Sequence, residues 1–597
     1  MVYFLVNFYF IINMEDLLNN LKEKFEDNEL TIDDRIEILL NDDIELENII
    51  DNNLLKNTLE NDNCNINESL FIYLEILYDN LQNKENSILT KINKTNTLFG
   101  KCFLKNKLLN PTFNIDYLNK QKDNIQKFIP EINIFENELK LLKNTEKDLL
   151  WFWRDSDEHI ESIYNMIYFE NRFLKIINSN KIIMFILNIY KMFLAPGIAI
   201  FSPLSTFIFL FIAYKYYKIN IPFSQLVTLC KTLIFNKFGS GSKLKMIFSV
   251  LIWLFFYCQG IYQCYLTSKQ INKISNIFHE KLNIVNNCLL KCKNLFELKN
   301  KNNIELLTNE LDFNEFNIII QNSLYQTKPK LFNNKGDIFS TYYILLDIKD
   351  KLKPFLLFLS EIDYYSSISS LYIEFQDKNN KYCLPNYIDS NKLNLSLDKA
   401  WHPYLTNQPV CNSIKLNKNI IITGPNAAGK STFIKTVLLN VLFSQTISIT
   451  PCSSIDISLF KNLESYLHIP DTKGKESLFE AEMNKSLNYI NNLKERKDEK
   501  SLIIMDELFS STNNKEGIEA AKIVCKKMGK YKNNLTLLTT HYEELSLLEK
   551  ETKRYLNYKF IIRRNDKNDI VFTYKLKRGI SKDFIALELF SKKINKI

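Results

Sequence analysis

Ten consecutive residues, Thr423, Gly424, Pro425, Asn426, Ala427, Ala428, Gly429, Lys430, Ser431 and Thr432, have the types and spacing for binding phosphate. Two glycines free the backbone to turn its N–H groups inward, Lys430 reaches the β- and γ-phosphates, and the Ser431 hydroxyl can ligate Mg²⁺. A polar turn and a short apolar run, 417–423, precede the loop, and an amphipathic helix is predicted over 431–444. That order of strand, loop and helix adds the partial positive charge of a helix N-terminus to the cradle. The chemistry is binding of ATP or a close relative, with Mg²⁺.

Two further sites follow in the chain. The apolar run from Ser501 ends in Asp506 and Glu507, which fits a metal-bound carboxylate followed by one that polarises water. Such a strand capped by two acids is common as plain structure; its place downstream of a phosphate loop favours the functional reading. A third strand, 535–540, ends at His541, where a histidine can sense a γ-phosphate or position water. An isolated histidine is more often structural, and the three successive strands raise this one to a candidate.

The elements that must carry these residues belong to a chain of 597 residues, too long for one core. Hydrophobic residues at 46% and charged residues at 24% exclude a disordered chain. A net charge of +8 permits an anionic partner without arguing for one. Eleven scattered cysteines without a Cys-x-x-Cys, and five histidines, argue against zinc and for reduced core thiols of a cytosol-facing protein. The apolar start, 1–14, lacks the basic leader and cleavage site of a signal peptide, and Met14 is an alternative start. Residues 15–180 read as helical, with Trp151, Phe152 and Trp153 as core. Short β-like runs such as 370–375 lead from about 336 into the motif region.

Two uncharged stretches, 194–214 and 246–268, stand apart. At ~1.5 Å per residue each is long enough to cross a hydrocarbon layer of ~30 Å. Lysines 191, 215, 245 and 269 bound them, and the 215–245 connection holds six lysines and no acid. A connection of that charge prefers a cytoplasmic or anionic-lipid surface. If both stretches span, the loop lies opposite the ATPase, against the positive-inside bias; a hairpin dipping into one leaflet avoids this. Two long buried helices are the plain structural alternative. The expectation is membrane association of a cytoplasmic-facing protein, with the insertion mode open.

The linear order of the motifs resembles the ATPase domain of the MutS family. Residues 423–432 resemble its TGPNxxGKST, Pro425-Asn426 included. Residues 477–483, Ser-Leu-Phe-Glu-Ala-Glu-Met, are similar to its Ser-Thr-Phe-x-x-Glu-Met, Asp506-Glu507-Leu508 with Thr512 to its DEL…T, and 540–545 to its THYxEL. Trp401-His402-Pro403 resembles the His-Pro before the first strand, and Glu361-Ile362-Asp363 the end of the core domain. The likeness is strong over about 395–590, weak over 270–395 and absent before.

The resemblance implies an α/β P-loop NTPase domain of ABC/MutS type after a mostly helical core and lever region. It also implies a homodimer or MutS-like heterodimer with composite sites. Ser477 would reach the γ-phosphate bound by the partner, with Glu482 and Met483 on the helix behind it. Phe479, Met483, Leu487, Ile490 and Leu493 are expected to line the packed face of that helix. Binding of DNA, mismatched DNA included, and mismatch repair follow by family. A membrane hairpin in place of the DNA clamp would instead resemble MutS-like proteins with membrane segments.

This sequence departs from the family at several points. Ala427-Ala428 replaces the usual Met-Gly, Phe509-Ser510-Ser511 stands where Gly-Arg-Gly is usual, and 471–476 lacks small residues before the serine. Little room remains after Ala586 for a helical dimerisation tail, so pairing is expected through other surfaces. Two Phe-x-Glu triplets, at Phe278 and Phe313, have the letters of a mismatch wedge, but lie in helical Lys/Asn-rich stretches and read as chance. A mechanical ATPase anchored in a membrane is the alternative function. An ABC transporter ATPase is disfavoured because no LSGGQ-like signature occurs. The expected organisation is a helical region over 1–140, lever-like helices over 141–335 around the apolar hairpin 194–268, the end of the core over 336–400, and the ATPase domain over 401–597.

Overall fold

The computed structural model describes residues 43–56, 62–79, 83–153, 158–201, 243–320, 335–390, 392–407, 409–466, 478–509, 512–566 and 569–581, with a few isolated positions elsewhere. Ser477, the 471–476 loop, residues 1–14 and most of 202–242 lie outside them. The chain divides into two units, one of 1–49, 145–291 and 312–353, the other of 50–144, 292–311 and 354–597.

The first unit is helical where described, with an aromatic core. Phe278 and Tyr342 stack with ring centroids 3.7 Å apart. The Trp151 Nε1–H donates to Tyr342 Oη at 2.9 Å, and the Tyr168 hydroxyl donates to the Phe339 carbonyl at 2.8 Å. Satisfying each polar tip lets these large rings be buried without an unpaired donor. Trp151, Phe152 and Trp153 are core, as expected, and Phe278 is fully buried and cannot act as a wedge.

Where described, the apolar stretches of this unit form two helices side by side. One runs from Lys181 to Phe201, 21 residues at mean hydropathy 1.8, and begins ahead of the expected residue 194. The other opens the 59-residue helix Lys243–Lys301, about 88 Å of rise at ~1.5 Å per residue. Ser268 Oγ donates to the Met192 carbonyl at 3.1 Å, and the Tyr257 hydroxyl donates to the Ile200 carbonyl. The pairs 192–268 and 200–257 make the helices antiparallel. Their apolar side chains are not a buried core: only 17% of the most apolar part of the first helix is buried, and Ile198, Phe201, Leu251, Phe255 and Phe256 are exposed.

The second unit holds the motifs. Its strands are β1 (Asn65–Ile66), β2 (Asn386–Tyr387), β3 (Leu395–Ala400), β4 (Asn412–Leu416), β5 (Asn419–Thr423), β6 (Ser454–Ile457), β7 (Asn462–Tyr466), β8 (Ser501–Asp506), β9 (Asn534–Thr540), β10 (Tyr555–Arg564) and β11 (Ile570–Arg578). Among the described residues the main sheet has the order β1-β7-β8-β9-β5-β10-β11, parallel except for β10–β11, and a smaller sheet has the order β2-β6-β3-β4. β5 and β9 are buried at every position, which is why they read as apolar and small-residue runs, whereas β7, equally buried, is Asn-Leu-Glu-Ser-Tyr and does not.

Helices correct two sequence expectations here. Residues 370–374 end the helix Lys353–Glu374 instead of forming a strand: their aromatic and β-branched side chains suit either state, and burial on most faces of the helix decides. The helix after the phosphate loop, Lys430–Ser444, is buried on most faces and is therefore not amphipathic.

The helix Lys353–Glu374 also carries two buried acids. Asp363 accepts from the backbone N–H groups of Asn96 at 3.0 Å and Thr97 at 2.8 Å, and from the Thr97 hydroxyl at 2.6 Å. A Cβ on Gly100 would lie 2.3 Å from Asp363 Oδ2, so this approach requires glycine. Glu361 accepts from the backbone N–H of Leu307 at 2.9 Å, and burial pushes its carboxyl up to about 7 from an ordinary 4.5. Between those values the folded chain holds a proton that the unfolded chain has released. The stability from this group is therefore full below about pH 4.5 and is lost as pH rises through 7. Denaturant unfolding from pH 4.5 to 8 should show this decline, and Glu361→Gln should flatten that part of the profile; an unaltered profile in the variant would rule the assignment out.

Candidate nucleotide site

Strand register assembles the site. Thr423 at the end of β5 lies opposite Thr540 at the end of β9, and Asp506 at the end of β8 lies opposite Thr539. The phosphate loop, the acid pair and His541 thus leave the carboxyl edge of three adjacent parallel strands, where ligands of open α/β sheets bind. The loop takes its turn from Gly429, at φ 95°, with Ala427 also left-handed at φ 63°. Ala428, where the family pattern has glycine, is buried and needs no positive φ.

Lys430 is the centre of the site. Its Nζ donates to the carbonyls of Gly424 at 2.9 Å and Pro425 at 3.2 Å, and lies 3.3 Å from His541 Nε2 and 3.8 Å from Glu507 Oε1. His541 Nε2 is in turn 2.7 Å from Glu507 Oε1. Burial pushes the Lys430 ammonium down, and the carboxylates of Glu507 and Asp506 oppose that shift. Glu507 is held with φ 55°, its N–H donating to the Thr539 carbonyl at 3.1 Å. Non-glycine residues adopt such a φ at some cost, and here the backbone bond fixes it.

Asp506 is clamped on both oxygens. The Thr539 hydroxyl donates to Oδ1, and the Tyr73 hydroxyl donates to Oδ2 at 3.3 Å. Ser431 and Thr432 are exposed at the mouth, Thr423 is buried, and its Oγ1 accepts from the Ser581 N–H at 2.9 Å. The donor set fits an anion with a divalent cation: a lysine, a helix N-terminus, one hydroxyl and one carboxylate. Among the described residues no group of three or more His, Cys, Asp or Glu forms a metal cage. A cation here would draw most of its oxygen ligands from phosphate and water, as Mg²⁺ does.

A cleft of about 630 Å³ opens beside the loop, lined by Asn426, Lys430, Ser431 and Glu507 and, across from them, by His402, Pro409, Val410 and Tyr574. Tyr574 and Tyr73 were not legible as site residues. Tyr574 arrives on β11 as one of two aromatics on an edge strand, and Tyr73 is 433 positions from its partner.

The helix after Ser477, Leu478–Glu495, corrects another expectation. Glu482, Ser486, Tyr489 and Leu493 form its buried face, whereas Met483 and Leu487 are 41% and 49% exposed. The Tyr489 hydroxyl donates to the Ser465 carbonyl at 2.7 Å, so a tyrosine and two polar residues take the packed stripe. Phe479 and Ile490 pack partly against the core, as expected. Phe509, in place of the usual glycine, is left-handed at φ 56°; it is buried against Phe479, and its carbonyl accepts from the Tyr542 hydroxyl at 2.8 Å.

Residues 420–592 match the family model described as MutS domain V. Over that region the chain resembles the MutS family. DNA mismatch repair protein MutS of Phocaeicola vulgatus is 34% identical over 225 residues, 36% of this chain and 25% of that protein. The protein of the same name from Chlorobaculum tepidum is 30% identical over 242 residues, 39% and 26% of the two chains, and that of Chlamydia trachomatis 26% identical over 283 residues, 45% and 33%. The match spans a quarter to a third of these relatives. MutS-family proteins are ATPases, and the matched region of this chain holds the phosphate loop, both carboxylates and His541.

Lys430→Ala should weaken binding of a fluorescent ATP analogue roughly 100-fold or more, since loss of one partner of a buried charge costs about 2–5 kcal/mol. Parental affinity in the variant would contradict this site.

Proposed function

We propose that this chain binds and hydrolyses MgATP in a composite site of a MutS-like dimer, coupled to binding of DNA. The observation that carries the proposal is the meeting of Lys430, Glu507 and His541 within 2.7–3.8 Å of one another beside the phosphate loop. The residues 423–432 cradle the phosphates, and Lys430 exchanges its loop carbonyls for phosphate oxygens. Ser431 and Asp506 would hold Mg²⁺, which when bound offsets phosphate charge. Glu507, oriented by His541, polarises the attacking water, and His541 stands next to the γ-phosphate. Ser477 of one subunit completes the site of the other. The exposed Met483 and Leu487, on the helix behind Ser477, support a subunit contact there.

DNA enters through the relatives, whose names are those of DNA mismatch repair proteins. Mismatch sensing by this chain alone has less support, because Phe278 is buried. Steady-state hydrolysis should rise several-fold with duplex DNA and lose that stimulation steeply with salt. A mismatch duplex in parallel separates sensing from general binding. A rate indifferent to DNA at low salt would exclude the coupling.

A membrane-anchored form of the same ATPase is the second reading, favoured by the two antiparallel helices with exposed apolar side chains. The six lysines of 215–245 suit an anionic lipid surface on the cytoplasmic side. The protein should stay in the membrane pellet after alkaline carbonate extraction; complete release into the supernatant would remove this reading.

A further inference from the structure

An N-terminal segment of the second unit, far from the motifs in sequence, reaches the metal end of the candidate site. β1 extends the edge of the main sheet by pairing parallel with β7, Asn65 opposite Asn462. The Asn65 N–H donates to the Lys461 carbonyl at 2.8 Å, and Asn65 Nδ2 donates to Asn462 Oδ1 at 2.8 Å. Asn67 then caps the short helix Glu68–Tyr73 by accepting from the Ser69 N–H. Leu70, Leu74 and Ile76 are buried, so the segment is packed as well as paired.

Its far end grips both metal-side elements. Glu75 pairs with Lys435 at 2.8 Å, and Lys435 lies one helical turn after Ser431 on the phosphate-loop helix. The Lys435 ammonium also lies 4.6 Å from the centre of the Tyr73 ring. From that position the Tyr73 hydroxyl donates to Asp506 Oδ2. One tyrosine therefore touches the helix that carries Ser431 and the carboxylate at the end of β8.

We propose that Tyr73 is a positioning residue that orients Asp506 for the divalent cation, and that the strap 62–79 senses occupancy of that site. The proposal rests on the nucleotide-site reading above. A hydroxyl held against one oxygen of a carboxylate fixes which lone pairs face the cation, and loss of such an outer partner typically costs about 10–100-fold in metal affinity. The strap is tied at β1 and at Lys435, so a change at Asp506 reaches its backbone through Tyr73.

The test uses the full-length chain and a fluorescent non-hydrolysable ATP analogue, with Mg²⁺ titrated from EDTA conditions. Tyr73→Phe keeps the ring over Lys435 and removes the hydroxyl. It should raise the Mg²⁺ midpoint for tight analogue binding about tenfold or more and leave metal-free analogue affinity unchanged. Hydrogen exchange on the wild-type chain needs no variant: amides of 65–76 should gain protection with Mg²⁺ and analogue together, and not with the analogue in EDTA. An unshifted midpoint in Tyr73→Phe overturns the positioning role. Exchange over 65–76 indifferent to Mg²⁺ overturns the sensing role. If wild-type chain binds no analogue at any Mg²⁺ concentration, the nucleotide-site reading falls and takes this proposal with it.

Discussion

The candidate site depends on one buried ammonium. Lys430 is shared among two loop carbonyls, His541 and Glu507, and each of those partners is delivered by a different strand of one parallel sheet. The register of β8, β9 and β5 brings the three strand ends to the same edge. A one-residue slip in any of them would turn its end residue to the opposite face of the sheet. β5 and β9 are buried at every position and β8 at all but Asp506, so the three strands that hold these ends lie inside the sheet's core.

Three residues at the same edge carry strained backbone. Ala427, Glu507 and Phe509 all take left-handed backbone conformations without being glycine. Each costs of order 1–3 kcal/mol and persists where its surroundings over-determine it. For Phe509 those surroundings are visible: burial against Phe479 and the bond from Tyr542. A position where the family has glycine is thus served here by packing.

Local chemistry was legible in the sequence wherever it is contiguous. The phosphate loop, the acids ending β8 and the histidine ending β9 each occupy a few adjacent positions, and the strands that carry them are apolar runs with polar ends. Three kinds of feature were hidden. Residues 370–374 suit strand and helix alike, and they close a helix that is buried along most of its length. On Leu478–Glu495 the apolar letters suggested one packed face, but Tyr489, bonded to the Ser465 carbonyl, lies on the buried stripe with Glu482 and Ser486, and Met483 and Leu487 are left exposed. Tyr73 reaches Asp506 only through tertiary folding across 433 positions, which no local pattern encodes. The apolar stretches were visible by composition, and the structure adds their antiparallel pairing.

The central claim is that Glu507, oriented by His541 beside Lys430, polarises water for hydrolysis of bound ATP. Single-turnover hydrolysis by Glu507→Ala tests it most directly. The account predicts a variant that binds ATP as tightly as the parental chain and holds it unhydrolysed. Hydrolysis at the parental rate would contradict it.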